Sequence, residues 1–203
     1  HDSKKYHGKD SQKRSYQNFH GIGVLCDKKS DHKLLYSEGD VTMAKRDLLE
    51  DKRILIVDDE PDILETLEEL LTMCEIIKAT NFEEAKELLT TQYFDIAILD
   101  IMGVNGYALL DIATKRDVIT IMLTAHALSP ENIVKSYKEG AASYIPKDEM
   151  TNIDVFLNDA IEAKKNGKNL WWRWYERMGS FCEKRFGPKW KDKDKEFWDK
   201  FMY

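Results

Sequence analysis

Arg53-Ile54-Leu55-Ile56-Val57-Asp58-Asp59-Glu60-Pro61 is the stretch on which the fold turns. Arg53–Val57 is a nearly continuous apolar run, the pattern of a parallel strand covered on both faces rather than of a half-exposed one. Two acids close it, and Pro61 suits the first turn of a helix, where its missing N–H costs nothing. Ile63, Leu64, Leu67, Leu70 and Leu71 then recur at helical spacing, predicting a helix to about Leu71.

The alternation continues outward from that unit. Glu75–Lys78 reads as a strand, and Asn81 caps a helix over Phe82–Leu89. Asp95–Leu99 is a third strand ending at Asp100, followed by a helix over Tyr107–Thr114. Val118–Leu123 is a fourth strand, and Ser129-Pro130 opens a helix to Lys138 that Gly140 terminates. Ala142–Ile145 is the last strand and Asn152–Lys164 the last helix of the series. Five strands alternating with five helices predict an α/β fold with a five-stranded parallel sheet wrapped on both faces.

Charge divides the chain unevenly. Residues 1–50 hold 10 basic and 8 acidic side chains, residues 51–163 hold 9 and 23, and residues 164–203 hold 12 and 6. The acidic middle repels phosphate backbones, so direct DNA binding is not expected there, and it suits a cation instead. No run of apolar residues is long enough for a spanning helix, and His1–Arg14 has no apolar signal core. Cys26, Cys74 and Cys182 are odd in number and far apart, which fits a reducing, cytoplasmic setting better than a disulfide framework.

In an open parallel sheet, ligands bind beyond the carboxyl ends of the strands. The first strand of the series ends in Asp58-Asp59, the third in Asp100, the fourth in Thr124-Ala125, and Lys147 follows the fifth. One acid at a strand end is ordinarily a solvated loop residue; five such groups at four matching ends are a site. Three carboxylates crowded together repel unless a cation sits among them, and Mg²⁺, which takes hard oxygen ligands, is the expected one. Phosphoryl transfer asks for in-line positioning and charge neutralisation. Asp100 is then a candidate nucleophile, Lys147 a cation, Thr124 a hydroxyl donor and Ala125 a backbone donor, with an aspartyl phosphate as the covalent state.

ILIVDDEPDI, AILDIM, IMLTAHA and GAASYIPK, in that order, resemble the motifs of the receiver domain of two-component response regulators. The resemblance covers about residues 51–165 and implies a flavodoxin-like (βα)5 sandwich. It further implies Asp100 as phosphoacceptor, with Mg²⁺ bound directly by Asp59, through water by Asp58, by Asp100 itself, and by the Met102 backbone carbonyl. Lys147 would pair with the phosphoryl group, Thr124 would switch toward it, and Tyr144 would rotate inward behind it. A histidine kinase or phosphotransfer protein would be the donor and an unknown protein the downstream partner. The loop after Asp100 departs from the family pattern: Met102 follows by two residues and Gly106 by six, about two residues short. Asp148 replaces the usual proline after Lys147, Pro146 precedes it, and His126 lies near the site.

The expected domains are a low-information, disordered arm over 1–42, a receiver over 43–165 and an aromatic-rich helical tail over 166–203. In the arm only Ile22–Cys26 and Leu34–Tyr36 read as short strands, and Met43-Ala44-Lys45 looks like an ordinary translation start. In the tail, Trp171, Trp174, Tyr175, Met178, Cys182 and Phe186 share one helical face, Gly187-Pro188 ends that helix, and Trp190, Phe197, Trp198 and Phe201 mark a second. The tail could extend the receiver's own core, serve a partner or homodimer, or lie on a membrane surface. The membrane reading ranks last, because Asp192, Asp194, Glu196 and Asp199 suit anionic lipid poorly. A switch driven by phosphorylation is the favoured reading; a phosphorylation-independent scaffold is the alternative.

Overall fold

The structure, a computed structural model, describes strands at 15–17, 23–26, 33–37 and 40–43, and residues 48–125, 128–167 and 171–202. The chain forms two units, residues 1–47 and 48–203. In the first, β1 (Ser15–Gln17), β2 (Gly23–Cys26), β3 (Lys33–Ser37) and β4 (Asp40–Met43) form an antiparallel sheet in that order. The two segments singled out in the sequence pair as β2 and β3. The arm carries more strand than its composition suggests. β1 and β4 are short and mostly polar, so no alternation announces them, and backbone pairing with a neighbour makes them strands.

The second unit contains β5 (Arg53–Val57), β6 (Glu75–Ala79), β7 (Ile96–Asp100), β8 (Ile119–Thr124) and β9 (Ser143–Pro146). They form one parallel sheet in the order β6-β5-β7-β8-β9. The order reverses between β5 and β7, which puts the topological switch point where Asp58 and Asp100 emerge. Every residue of β7 is buried and β5 is buried from Ile54 onward, as their continuous apolar runs require. β6 lies at an edge and is mostly half-exposed.

The helices are α1 (Pro61–Leu70), α2 (Phe82–Thr91), α3 (Gly106–Lys115), α4 (Pro130–Lys138) and α5 (Ile153–Asn166), followed by α6 (Trp171–Phe186) and α7 (Lys195–Met202). The Asn81 side chain accepts the Glu84 N–H at 3.0 Å, and Ser129 Oγ accepts the Asn132 N–H at 3.1 Å, the caps that the sequence predicts. β7 starts and ends one residue later than its periodicity suggests. Asp95 stays outside the strand, its carboxylate accepting from the Arg53 N–H and the Lys52 ammonium, while Asp100 joins the ladder opposite Leu123. A turn of 3₁₀ helix, Lys147–Asn152, stands between β9 and α5. Among the described residues no helix is long and apolar enough to cross a membrane.

The tail packs on the second unit and completes its core. Trp171, Trp174, Met178 and Cys182 form the buried stripe of α6. Trp190 precedes α7 rather than belonging to it: the second tail helix begins only at Lys195, and the Trp190 ring meets Trp198 at 4.7 Å. Cys182 is fully buried, and that burial pushes its thiol up to about 12. Cys182 should therefore resist iodoacetamide at pH 8 in the native protein and react fully in urea, as peptide mass spectrometry would show. Native-state alkylation as fast as that of the unfolded chain would contradict this packing.

Candidate functional site

Four strand ends deliver the site. Asp58 directly follows β5, Asp100 is the last residue of β7, Thr124 is the last of β8 and Lys147 directly follows β9. All four are buried. The Lys147 ammonium stands at their centre: Nζ lies 2.8 Å from Asp58 Oδ2, 2.7 Å from Glu60 Oε1 and 3.2 Å from Asp100 Oδ1. Burial opposes the ammonium charge, but hydrogen bonds donated to Asp58 and Glu60 outweigh it and raise the Lys147 pKa. For Asp58, burial is the largest influence and raises the carboxyl pKa despite that bond.

The two oxygens of Asp100 have different surroundings. Oδ2 accepts the N–H groups of Met102 and Gly103, both at 2.9 Å, while Oδ1 faces Lys147. A Cβ on Gly106 would lie 2.1 Å from the Asp100 carbonyl oxygen, so backbone approaches there where a side chain could not. A Cβ on Gly103 would meet the Asp59 carboxylate at 1.9 Å, so a side chain there would have to displace Asp59 from the cleft. Asp59, Glu60, Asp100, Met102, Gly103, Ala125 and Lys147 line an open cleft of about 410 Å³.

The residues picked out in sequence thus fall into two groups. Asp58, Asp100 and Lys147 converge in direct contact, and Asp59, Met102 and Ala125 border the cleft. Thr124 is buried at its strand end, one strand over from Asp100. Tyr144 is fully buried in β9, and burial raises its pKa. His126 lies outside the described residues. Glu60 was not singled out as a site residue, because an acid just before a helix ordinarily serves the helix terminus. Its proximity to the Asp58-Asp59 pair was the signal that could have found it.

Among the described residues, no three carboxylate, imidazole or thiolate side chains are gathered as a ready cation cage. Lys147 occupies the centre that Asp58 and Asp100 share. A hard divalent cation nonetheless fits the donor set. Asp58 Oδ2 is buried and, despite its closeness to Nζ, accepts no hydrogen bond of acceptable geometry, and Asp59 lies at the cleft. An ion that keeps most of its waters needs only one or two such carboxylates.

The response regulator receiver domain model matches residues 54–155, half of the chain, and the chain belongs to that family. Receiver domains are signalling domains rather than enzymes acting on an external substrate. The chain is 36% identical over 101 residues to the two-component response regulator ARR18 of Arabidopsis thaliana, covering 47% of this chain and 16% of that protein. It is 33% identical over 129 residues to ARR10 of the same plant, covering 58% and 23%. The match therefore spans less than a quarter of either relative's length. The solved receiver domain protein of Methanospirillum hungatei JF-1 is similar with a TM-score of 0.52 at 30% identity, over 57% of this chain and 98% of that one. The receiver domain protein from Clostridium thermocellum gives 0.51 at 28%, over 56% and 97%. These likenesses agree with the flavodoxin-like fold of the five-stranded unit, to which the C-terminal helices are an addition.

A carboxyl whose folded-state pKa is raised favours the folded protein in its protonated form. That contribution is complete below the unfolded value of 3.8 and is lost as pH rises through the folded value. Asp58→Asn removes the charge that burial opposes, while Lys147 keeps Glu60 and Asp100. Without divalent cations the variant should melt a few degrees above the wild type at pH 7, with the gain shrinking as pH falls through the raised Asp58 value and gone below 3.8. A lower melting temperature at pH 7 would show that the Lys147 bond outweighs the burial of Asp58.

Proposed function

We propose that this chain is a phosphorylation-dependent switch of a two-component phosphorelay, with Asp100 as the phosphoacceptor. Family membership supports the class, and the observation that carries the residue assignment is the asymmetry of Asp100: one oxygen held by two N–H groups, the other turned toward Lys147. The donor is the phosphohistidine of a histidine kinase or phosphotransfer protein. Asp100 Oδ1 attacks phosphorus, an O–P bond forms, the P–N bond breaks, and its electron pair leaves on the imidazole nitrogen.

The chain's own groups set up that displacement. The Met102 and Gly103 N–H groups fix the carboxylate plane, leaving Oδ1 as the attacking atom. Lys147 exchanges a carboxylate contact for a phosphoryl oxygen as negative charge arrives, and the Thr124 hydroxyl and Ala125 N–H donate to the others. Mg²⁺, held by Asp58, Asp59 and the Met102 carbonyl, would neutralise charge on the phosphoryl oxygens. The phosphorylated state signals through protein contacts, with Thr124 and Tyr144 as the side chains that answer the new group.

Acetyl phosphate or a phosphorylated kinase domain, with Mg²⁺, should add the mass of one phosphoryl group to the intact protein. Asp100→Asn should abolish it, and Lys147→Ala should lower the yield at least tenfold. Labelling of Asp100→Asn to the wild-type extent would overturn the assignment.

A further inference from the structure

The Lys147 ammonium distributes its N–H donors unevenly among the acids around it. It donates to Asp58 Oδ1 at 3.0 Å and to Glu60 Oε1 at 2.7 Å, while Asp100 Oδ1 stands farther off at 3.2 Å. The shortest contact therefore goes to an acid outside the set that the phosphoacceptor chemistry requires. Glu60 is placed for it by its backbone. It is the N-cap residue of α1, in extended geometry, with Pro61 fixing the helix entry. Its N–H donates to Asp58 Oδ1 at 3.0 Å, and its carbonyl accepts the Ile63 N–H at 3.1 Å. An acid in that position ordinarily serves the helix terminus. The Glu60 carboxylate makes no capping bond and instead reaches a lysine 87 residues along the chain.

The partners of Lys147 differ in what their release would cost. The Asp58 side chain is 1% exposed and that of Glu60 is 61% exposed. Parting the ammonium from Asp58 would strand a buried carboxylate, which is strongly unfavourable. Parting it from Glu60 returns a carboxylate to water and forfeits only what a partly exposed ion pair contributes.

We infer that Glu60 is a positioning residue for Lys147, an anion that stands in for the phosphoryl group until one arrives. The inference rests on the phosphoacceptor reading and specifies which contact Lys147 gives up. Before phosphorylation, Glu60 neutralises the ammonium and holds it at the mouth of the cleft. When a phosphoryl oxygen appears on Asp100, Lys147 leaves Glu60 and keeps Asp58. Two anions then compete for one donor, so Glu60 opposes the phosphorylated state in proportion to the strength of its own contact. The residue that follows the Asp58-Asp59 pair thus sets how readily this chain holds a phosphoryl group.

The test uses the full chain, with beryllofluoride and Mg²⁺ as the phosphoryl mimic and calorimetry to measure its affinity. Glu60→Gln keeps the side chain's length and removes its charge. Glu60→Asp keeps the charge, withdraws it from Lys147 by one methylene and suits it to capping α1 instead. Both variants should bind the mimic about two- to fivefold more tightly than the wild type, the range expected of a partly exposed ion pair. Both should also shift the Lys147 side-chain NMR resonances of the metal-free protein in the same direction, and bound mimic should abolish that difference. Tighter binding by Glu60→Gln alone, with Glu60→Asp at the wild-type affinity, would assign the effect to charge at the cleft mouth and overturn the inference. Unchanged or weaker binding by both would overturn it as well. A wild type that does not bind the mimic, with Asp100→Asn labelled as fully as the wild type, would instead remove the phosphoacceptor reading and this inference with it.

Discussion

Lys147 is placed where carboxylates from two separate strand ends would otherwise confront one another. Asp58 and Asp100 are buried beside it, and Glu60 reaches it from the helix entrance. Without that ammonium, burial would force protonation of at least one acid or open the strand ends to water. The ammonium depends in turn on β9 ending where it does, in register with β8 so that Thr124 pairs with Pro146. The rim is thus one ammonium shared by three carboxylates, tying β5, β7 and β9 together at the end where ligands enter. A group that brings new negative charge to Asp100 changes this balance at its centre, which is why the site is suited to switching.

The loop after β7 frames the end of that strand with its backbone. Between Asp100 and α3 the chain turns through Met102, Gly103 and Asn105, the last in left-handed backbone geometry. Gly106 closes the turn by donating to the Ile101 carbonyl at 3.2 Å. The turn keeps two N–H groups on the Asp100 carboxylate, and Gly106 leaves room for the Asp100 carbonyl.

The tail answers a different physical demand. An edge strand must be paired, covered or blunted, and α6 covers β9, with the Trp174 indole donating to the Tyr144 carbonyl and the Trp171 indole to the Ala141 carbonyl just before the strand. Aromatic enrichment in the tail therefore belongs to an intramolecular contact. It had also been compatible with a partner surface or a membrane, since tryptophan suits all three settings.

The five parallel strands, their helices and the positions of Asp58, Asp100, Thr124 and Lys147 could be read directly from the chain. Continuous apolar runs dictate buried parallel strands, and what directly follows such a run must emerge at its carboxyl end. That argument is local, and it holds because hydrophobic burial fixes each strand before any partner is chosen. The contact of Glu60 with Lys147, the approach of Gly103 to Asp59 and the covering of β9 by α6 are relations between segments distant in sequence. Lys147 could have been matched with any nearby acid, and the tail's aromatic face with any apolar surface. Sequence determined which faces must be hidden and which groups must reach the rim; only the packed chain decided what each would meet, because a contact's partner is set by closure in space and not by periodicity along the backbone.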